Sequence, residues 1–142
     1  MMRRIVTAAA LVAAFGAGYL ARGGGSAEPV VFAQGSRVFE LRTYTTAEGK
    51  LDLLHTRFRD HTLGFFERHG MTNVLYGRVL DAPRSENTLV YLLAYPDRDA
   101  ARRSWEAFRA DPDWATVVRE SGVGQVQVES LYFEPTDYSP MK

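Results

Sequence analysis

Glu40, Arg42 and Tyr44 alternate along Val38-Phe39-Glu40-Leu41-Arg42-Thr43-Tyr44, the stretch of this chain with most to offer chemistry. Along an extended strand successive side chains point to opposite faces. A carboxylate, a guanidinium and a phenol therefore share one face, with Phe39, Leu41 and Thr43 on the other. Phe39 and Leu41 suit a hydrophobic core, so the polar trio is expected on the sheet face away from the helices, in a cavity or an interface. An arginine placed there can hold a ligand carboxylate or enolate in bidentate fashion. It can instead pair with Glu40 or Glu129 and satisfy a polar dimer interface. Tyr91 and Tyr95 share one face of a later strand and suit either a cavity wall or core filling. The candidate ligand-binding set is Glu40, Arg42, Tyr44, Tyr91 and Glu129.

The histidines invite a metal reading that their spacing does not support. His55, His61 and His69 fall on one helix, roughly 9 and 12 Å apart along its axis, too far to share an ion. His61, at the edge of the apolar stripe, is the one weak candidate for an acid or base. His69, beside Gly70, suits C-terminal capping. Trp105 and Trp114 read as packing residues. Leu53 and Leu63 lie off the stripe and suit contact with a partner. The chain has no cysteine, hence no disulfide and no thiolate metal site. It carries no Walker loop, Rossmann glycine pattern, nucleophile elbow or zinc spacing, so neither cofactor nor metal is expected.

The elements that must position these residues follow from capping and periodicity. Thr45-Thr46-Ala47-Glu48 reads as a capping box opening a helix from about Ala47 to His69, with Gly70 at C′. At 100° per residue Leu51, Leu54, Phe58, Thr62, Phe65, Phe66 and His69 form one stripe, and Lys50, Arg57, Asp60, Glu67 and Arg68 lie outside it. Strands are expected over Thr72 to Leu80 and Leu89 to Tyr95, joined by the polar loop Asp81 to Asn87. Asp97 or Asp99 caps a second helix bearing Ala101, Trp105 and Phe108. Asp111-Pro112-Asp113 restarts a short extra helix, and Gln125 to Glu134 is the last strand. The order β-α-β-β-α-β is the ferredoxin-like α+β arrangement, with helices on one sheet face. The large polar residues on the other face then call for a second layer, which a homodimer supplies.

The chain has 142 residues, 46% hydrophobic and 12% aromatic, enough for one real core. Residues 1–33 read as a signal peptide or N-terminal membrane anchor with a linker. Met1-Met2-Arg3-Arg4 is a basic start, and Ile5 to Ala21 is an uncharged Ala- and Gly-rich run, closed by Arg22. That run is longer than a usual signal core and short for a membrane span. Cleavage after Ala27 or Ala33 and retention as a tether through residues 5–21 both stay open. Either way the expected location is exported, periplasmic or anchored to the outer side of the cytoplasmic membrane. The chain holds 17 basic and 17 acidic residues. Without Arg3, Arg4 and Arg22 of the leader the balance is weakly acidic, so nucleic acid is not an expected partner. The folded domain is expected over 34–135, with a loose tail at 136–142.

From Val38 to about Phe133 the chain resembles the NIPSNAP family. The resemblance rests on Phe39-Glu40-Leu41-Arg42-Thr43-Tyr44, Gly49-Lys50-Leu51, His61-Thr62-Leu63 and Phe66-Glu67-Arg68-His69-Gly70. It continues in Tyr91-Leu92-Leu93-Ala94-Tyr95 and Ala110-Asp111-Pro112-Asp113-Trp114. It implies a dimeric α/β barrel in which two ferredoxin-like sheets face each other, an architecture that small monooxygenases and other cofactor-poor enzymes share. Family members have no settled catalytic activity. The expected function is binding of a small anionic or aromatic molecule in a dimer cavity. Two alternatives stand beside it: a non-catalytic dimeric interaction module, and a cofactor-independent monooxygenase- or isomerase-like enzyme.

Overall fold

The computed structural model describes residues 37–142, so the expected leader and the cleavage sites expected in it lie outside the described residues. β1 (Val38–Thr46) is central, antiparallel to β3 (Thr88–Tyr95) on one side and to β4 (Val126–Phe133) on the other. β2 (Thr72–Arg78) pairs with β3, giving the order β2-β3-β1-β4. α1 (Leu51–Arg57), a π turn over Phe58–Thr62 and α2 (Leu63–Arg68) follow one another between β1 and β2. α3 (Arg98–Ala110) and α4 (Pro112–Glu120) lie between β3 and β4. This is the ferredoxin-like α+β fold, with α4 as the short extra helix. No helix among the described residues is long and apolar enough to cross a membrane.

The register decides which face is covered, and it reverses the expectation for the polar trio. Arg42 sits opposite Tyr91 of β3 and Ser130 of β4, and Tyr44 opposite Leu89 and Val128. Tyr44 packs edge-on against Phe58 of the π turn, and Glu40 meets Trp105 of α3. Glu40, Arg42 and Tyr44 therefore face the helices. The other face carries Leu41, Leu92, Leu131 and Phe133 in register, with Leu75 of β2 beside them. Leu75 is 63% and Leu131 60% exposed, so the uncovered face is the apolar one. A carboxylate can go under the helices because every one of its oxygens finds a donor there.

The helix boundaries show which local signals survive tertiary contacts. The capping box does not form: its cap residue Thr45 stays in β1, paired with Thr88 and Gln127, and the N–H of Thr46 donates to the Asn87 carbonyl at 2.9 Å. The chain instead turns at Gly49 (φ +73°), and α1 starts after Lys50 without a side-chain cap. At the far end Gly70 (φ +78°) closes a Schellman motif, its N–H on the Glu67 carbonyl and that of Met71 on Phe66. Asp97 accepts from the Ala100 N–H at 2.7 Å and Asp111 from that of Asp113 at 2.9 Å. Both α3 and α4 thus begin on the acids expected. The stripe residues Leu51, Leu54, Phe58, Thr62, Phe65 and Phe66 are buried. Phe66 lies within 6 Å, centroid to centroid, of the Tyr91, Trp105 and Phe108 rings. Arg57, expected outside the stripe, is buried as well, because α4 brings Trp114 against that side of α1.

Candidate functional site

One carboxylate organises the helix-facing side of the sheet. Glu40 is fully buried. Its Oε1 accepts from Arg42 Nη1 at 2.5 Å and from Ser130 Oγ at 2.6 Å. Its Oε2 accepts from Tyr95 Oη at 2.6 Å and Trp105 Nε1 at 2.7 Å. With two donors on each oxygen the carboxylate has little capacity left, and it ties β1 to β3, β4 and α3. Burial pushes its pKa up, but the bonds from Ser130 and Tyr95, the Arg42 charge and the Trp105 bond outweigh burial and hold it below the ordinary value. Burial together with the Glu40 bond raises the Tyr95 phenol far above its usual range. A saturated carboxylate and a phenol that keeps its proton build a site; neither is placed to move protons.

Arg42 is held by the same knot. Its Nε donates to Tyr91 Oη at 3.0 Å, its Nη2 makes a long contact to Tyr44 Oη at 3.4 Å, and its Cζ lies 4.0 Å from the Trp105 ring centroid. Burial works against its charge, but the Tyr91 and Tyr44 oxygens and Glu40 more than offset it, so the guanidinium stays charged. Its side chain keeps 13% exposure, toward a cleft of about 340 Å³ between α3 and β4 that Arg98, Asp99, Arg102, Arg109, Trp105 and Tyr132 also line. Arg98 lies over the Tyr132 ring, Cζ 3.3 Å from its centroid. Arg102 pairs with Asp99 at 3.7 Å and Glu106 at 3.2 Å. Arg98 and Arg109 form no ion pair among the described residues. The cleft is therefore positive, with two aromatic faces beside the charges. Farther along β4 the inner side stays open to solvent: Val128, opposite Tyr44, is 46% exposed.

The other expected residues scatter. Tyr91 is buried at the centre of the knot, stacked on Tyr76 and edge-on to Phe58. Glu129 lies on the opposite sheet face from Arg42, in register with Thr43, so it cannot be that arginine's partner. His61 is exposed on the π turn, away from the α3–β4 cleft. His69 bonds Asp111 Oδ2 through Nε2 at 2.8 Å, which holds the Asp111 carboxyl below its usual value. Its role is to join α2 to the start of α4. Among the described residues no three His, Asp or Glu side chains gather as a metal ion requires. Residue-level reading missed Trp105 and Ser130 as partners of Glu40, and Arg57 altogether. The period of α3 put Trp105 on the buried stripe, but only the register of distant strands sets its N–H against Glu40.

Comparison with known proteins agrees with this fold. A sequence profile described as NIPSNAP matches residues 39–140. No curated protein sequence matches the chain. Among solved structures the chain is similar to a NIPSNAP family protein with unknown function from Agrobacterium tumefaciens. The TM-score is 0.67 at 20% identity, over 78% of this chain and 97% of that one. It is also similar to SnoaB, a cofactor-independent oxygenase from Streptomyces nogalater (TM-score 0.52, 19% identity, 75% and 99% covered). A dimeric ferredoxin-like protein from an uncultured marine organism aligns at TM-score 0.51 and 12% identity, over 70% and 95%. These likenesses establish the fold, and the sequence match over most of the chain establishes more: this protein belongs to the NIPSNAP family.

Proposed function

We propose that this NIPSNAP domain is a homodimer that binds a small anionic molecule with an aromatic part in the α3–β4 cleft of each protomer. The observation that carries the reading is Arg42. Its guanidinium is locked by Glu40, Tyr91 and Trp105 and still reaches a cleft where Arg98 and Arg109 have no carboxylate of their own. A charge fixed before the ligand arrives loses little side-chain freedom on binding, and the cleft volume is at the lower end of the range for small-molecule sites. The site thus moves from the expected cavity between two sheets to a groove inside one protomer.

The dimer rests on the other face. Leu41, Leu131 and Phe133 with Leu75 make an apolar surface that a second sheet can cover, and one structural relative is described as dimeric. The alternative of an interaction module whose polar face only builds the dimer loses its premise, because that face lies under the helices. The oxygenase-like alternative has the SnoaB fold in its favour, but the Glu40 carboxylate is saturated and the cleft's other carboxylate, Asp99, is exposed and paired with Arg102 at 3.7 Å. Residues 1–33 are proposed as the export leader or tether, tested by N-terminal sequencing of the mature protein after fractionation.

Binding is tested by thermal shift with benzoate, salicylate and phosphate on the wild type and on Arg98→Ala/Arg109→Ala. Both replaced side chains lie at the cleft and form no ion pair, so the free variant should lose no more than the Arg98–Tyr132 stacking and melt close to the wild type. The aromatic acids should stabilise the wild type and lose that effect in the variant. Equal shifts in both proteins would place the ligand elsewhere.

A further inference from the structure

Arg57 stands apart from every other charged group among the described residues. It is only 5% exposed and forms no ion pair and no side-chain hydrogen bond, and its Nε is buried without a partner. The Trp114 ring lies 5.5 Å from its Cζ. An arginine does not escape burial by losing its proton, so a buried guanidinium needs an anion or a set of acceptors. The other inner arginine, Arg42, has both.

The chain holds Arg57 in this place. The π turn begins at the next residue, and the Thr62 hydroxyl donates back to the Arg57 carbonyl at 3.1 Å. Turns of this kind sit disproportionately at functional positions in helices. Arg57 and Arg42 flank the same two phenols: Arg42 bonds Tyr91 and Tyr44, and the charge of Arg57 also lies near both. The inner side of β4 stays open alongside Tyr44, as Val128 shows. The two arginines therefore bracket the Tyr44–Tyr91 pair, with exposed β4 surface alongside.

We propose that Arg57 is the second anionic anchor of the site, and that the ligand is a flat aromatic compound with two acidic oxygen groups. One group meets Arg42 at the cleft, the ring lies along Tyr44 and the β4 side, and the other group meets Arg57 beside Trp114. This deepens the Arg42 reading and rests on it.

Terephthalate and benzoate, two acids that differ by one carboxylate, test it by calorimetric titration and melting of the full chain. The wild type should prefer terephthalate. Arg57→Met, which keeps the aliphatic stem, should weaken terephthalate about tenfold or more, the scale of a lost charged hydrogen bond, and leave benzoate unchanged. The free Arg57→Met protein should melt no lower than the wild type, because it sheds an unmatched buried charge. An unchanged terephthalate affinity, or a variant that melts well below the wild type, overturns the assignment of Arg57. Benzoate binding that needs Arg98 and Arg109 while terephthalate gains nothing refutes Arg57 alone. No binding of either acid to the wild type refutes the Arg42 reading and this one together.

Discussion

The two faces of the sheet solve opposite problems. The helix-facing side carries Glu40, Arg42, Tyr91, Tyr95 and Ser130, polar groups that find one another within a single protomer. The outer side carries Leu41, Leu75, Leu131 and Phe133, which stay exposed although Phe133 stacks on Phe39. A carboxylate under helices is stable only when fully bonded, and Glu40 is. An apolar face is left for a second chain. Alternation along β1 separates the two sets without error, yet it does not say which set lies under the helices. The intuition that apolar means inside chose the wrong one here, because the bonded Glu40 knot, and not the apolar set, lies under the helices.

The contrast is broken most severely at Glu40. Glu40→Ala leaves the Arg42 guanidinium and the Tyr95, Trp105 and Ser130 donors without their acceptor, and breaking a buried pair this way costs about 3–5 kcal/mol. Urea denaturation should show that loss, and Glu40→Leu/Arg42→Met should recover part of it. An outer-face carboxylate such as Glu129 makes the control: Glu129→Ala should stay within about 0.5 kcal/mol.

A smaller effect follows pH. The folded Glu40 carboxyl lies below its unfolded value, so its contribution is complete above the unfolded value, near 4.3, and is lost as pH falls through the folded one. The melting-temperature gap between wild type and Glu40→Gln should be widest near neutrality and narrow below about pH 4. A gap independent of pH would mean that Glu40 is not an ionised partner. The smallest effect is at the edge of the inner layer: Asp97→Ala removes the α3 cap and should cost about 1 kcal/mol in the same denaturation assay without changing ligand response.

Much of this fold is legible in local signals, and the failures have one cause. Gly70, Asp97 and Asp111-Pro112 mark helix ends where the structure has them, because caps depend on neighbours in sequence. Thr45 fails as the cap of a capping box because distant strands, at Thr88 and Gln127, hold it in the sheet. Glu40 and Arg42 are recognisable as a site pair from their spacing, but their orientation depends on α3 landing over β1. Arg57 is invisible to a helical wheel, since the wheel assumes one buried side and α4 supplies a second. Glu129 looks like a partner of Arg42 only until the register puts it on the other face.

The central claim is that the apolar sheet face joins two chains while the polar knot belongs to one. Sedimentation of the wild type and of Leu131→Arg at tens of micromolar, each checked for native circular dichroism, tests it directly. The expected result is a dimeric wild type and a folded, monomeric variant, since Leu131 is 60% exposed and supports no core of its own. A wild type that sediments as a monomer, or a variant that remains a dimer, would contradict the account.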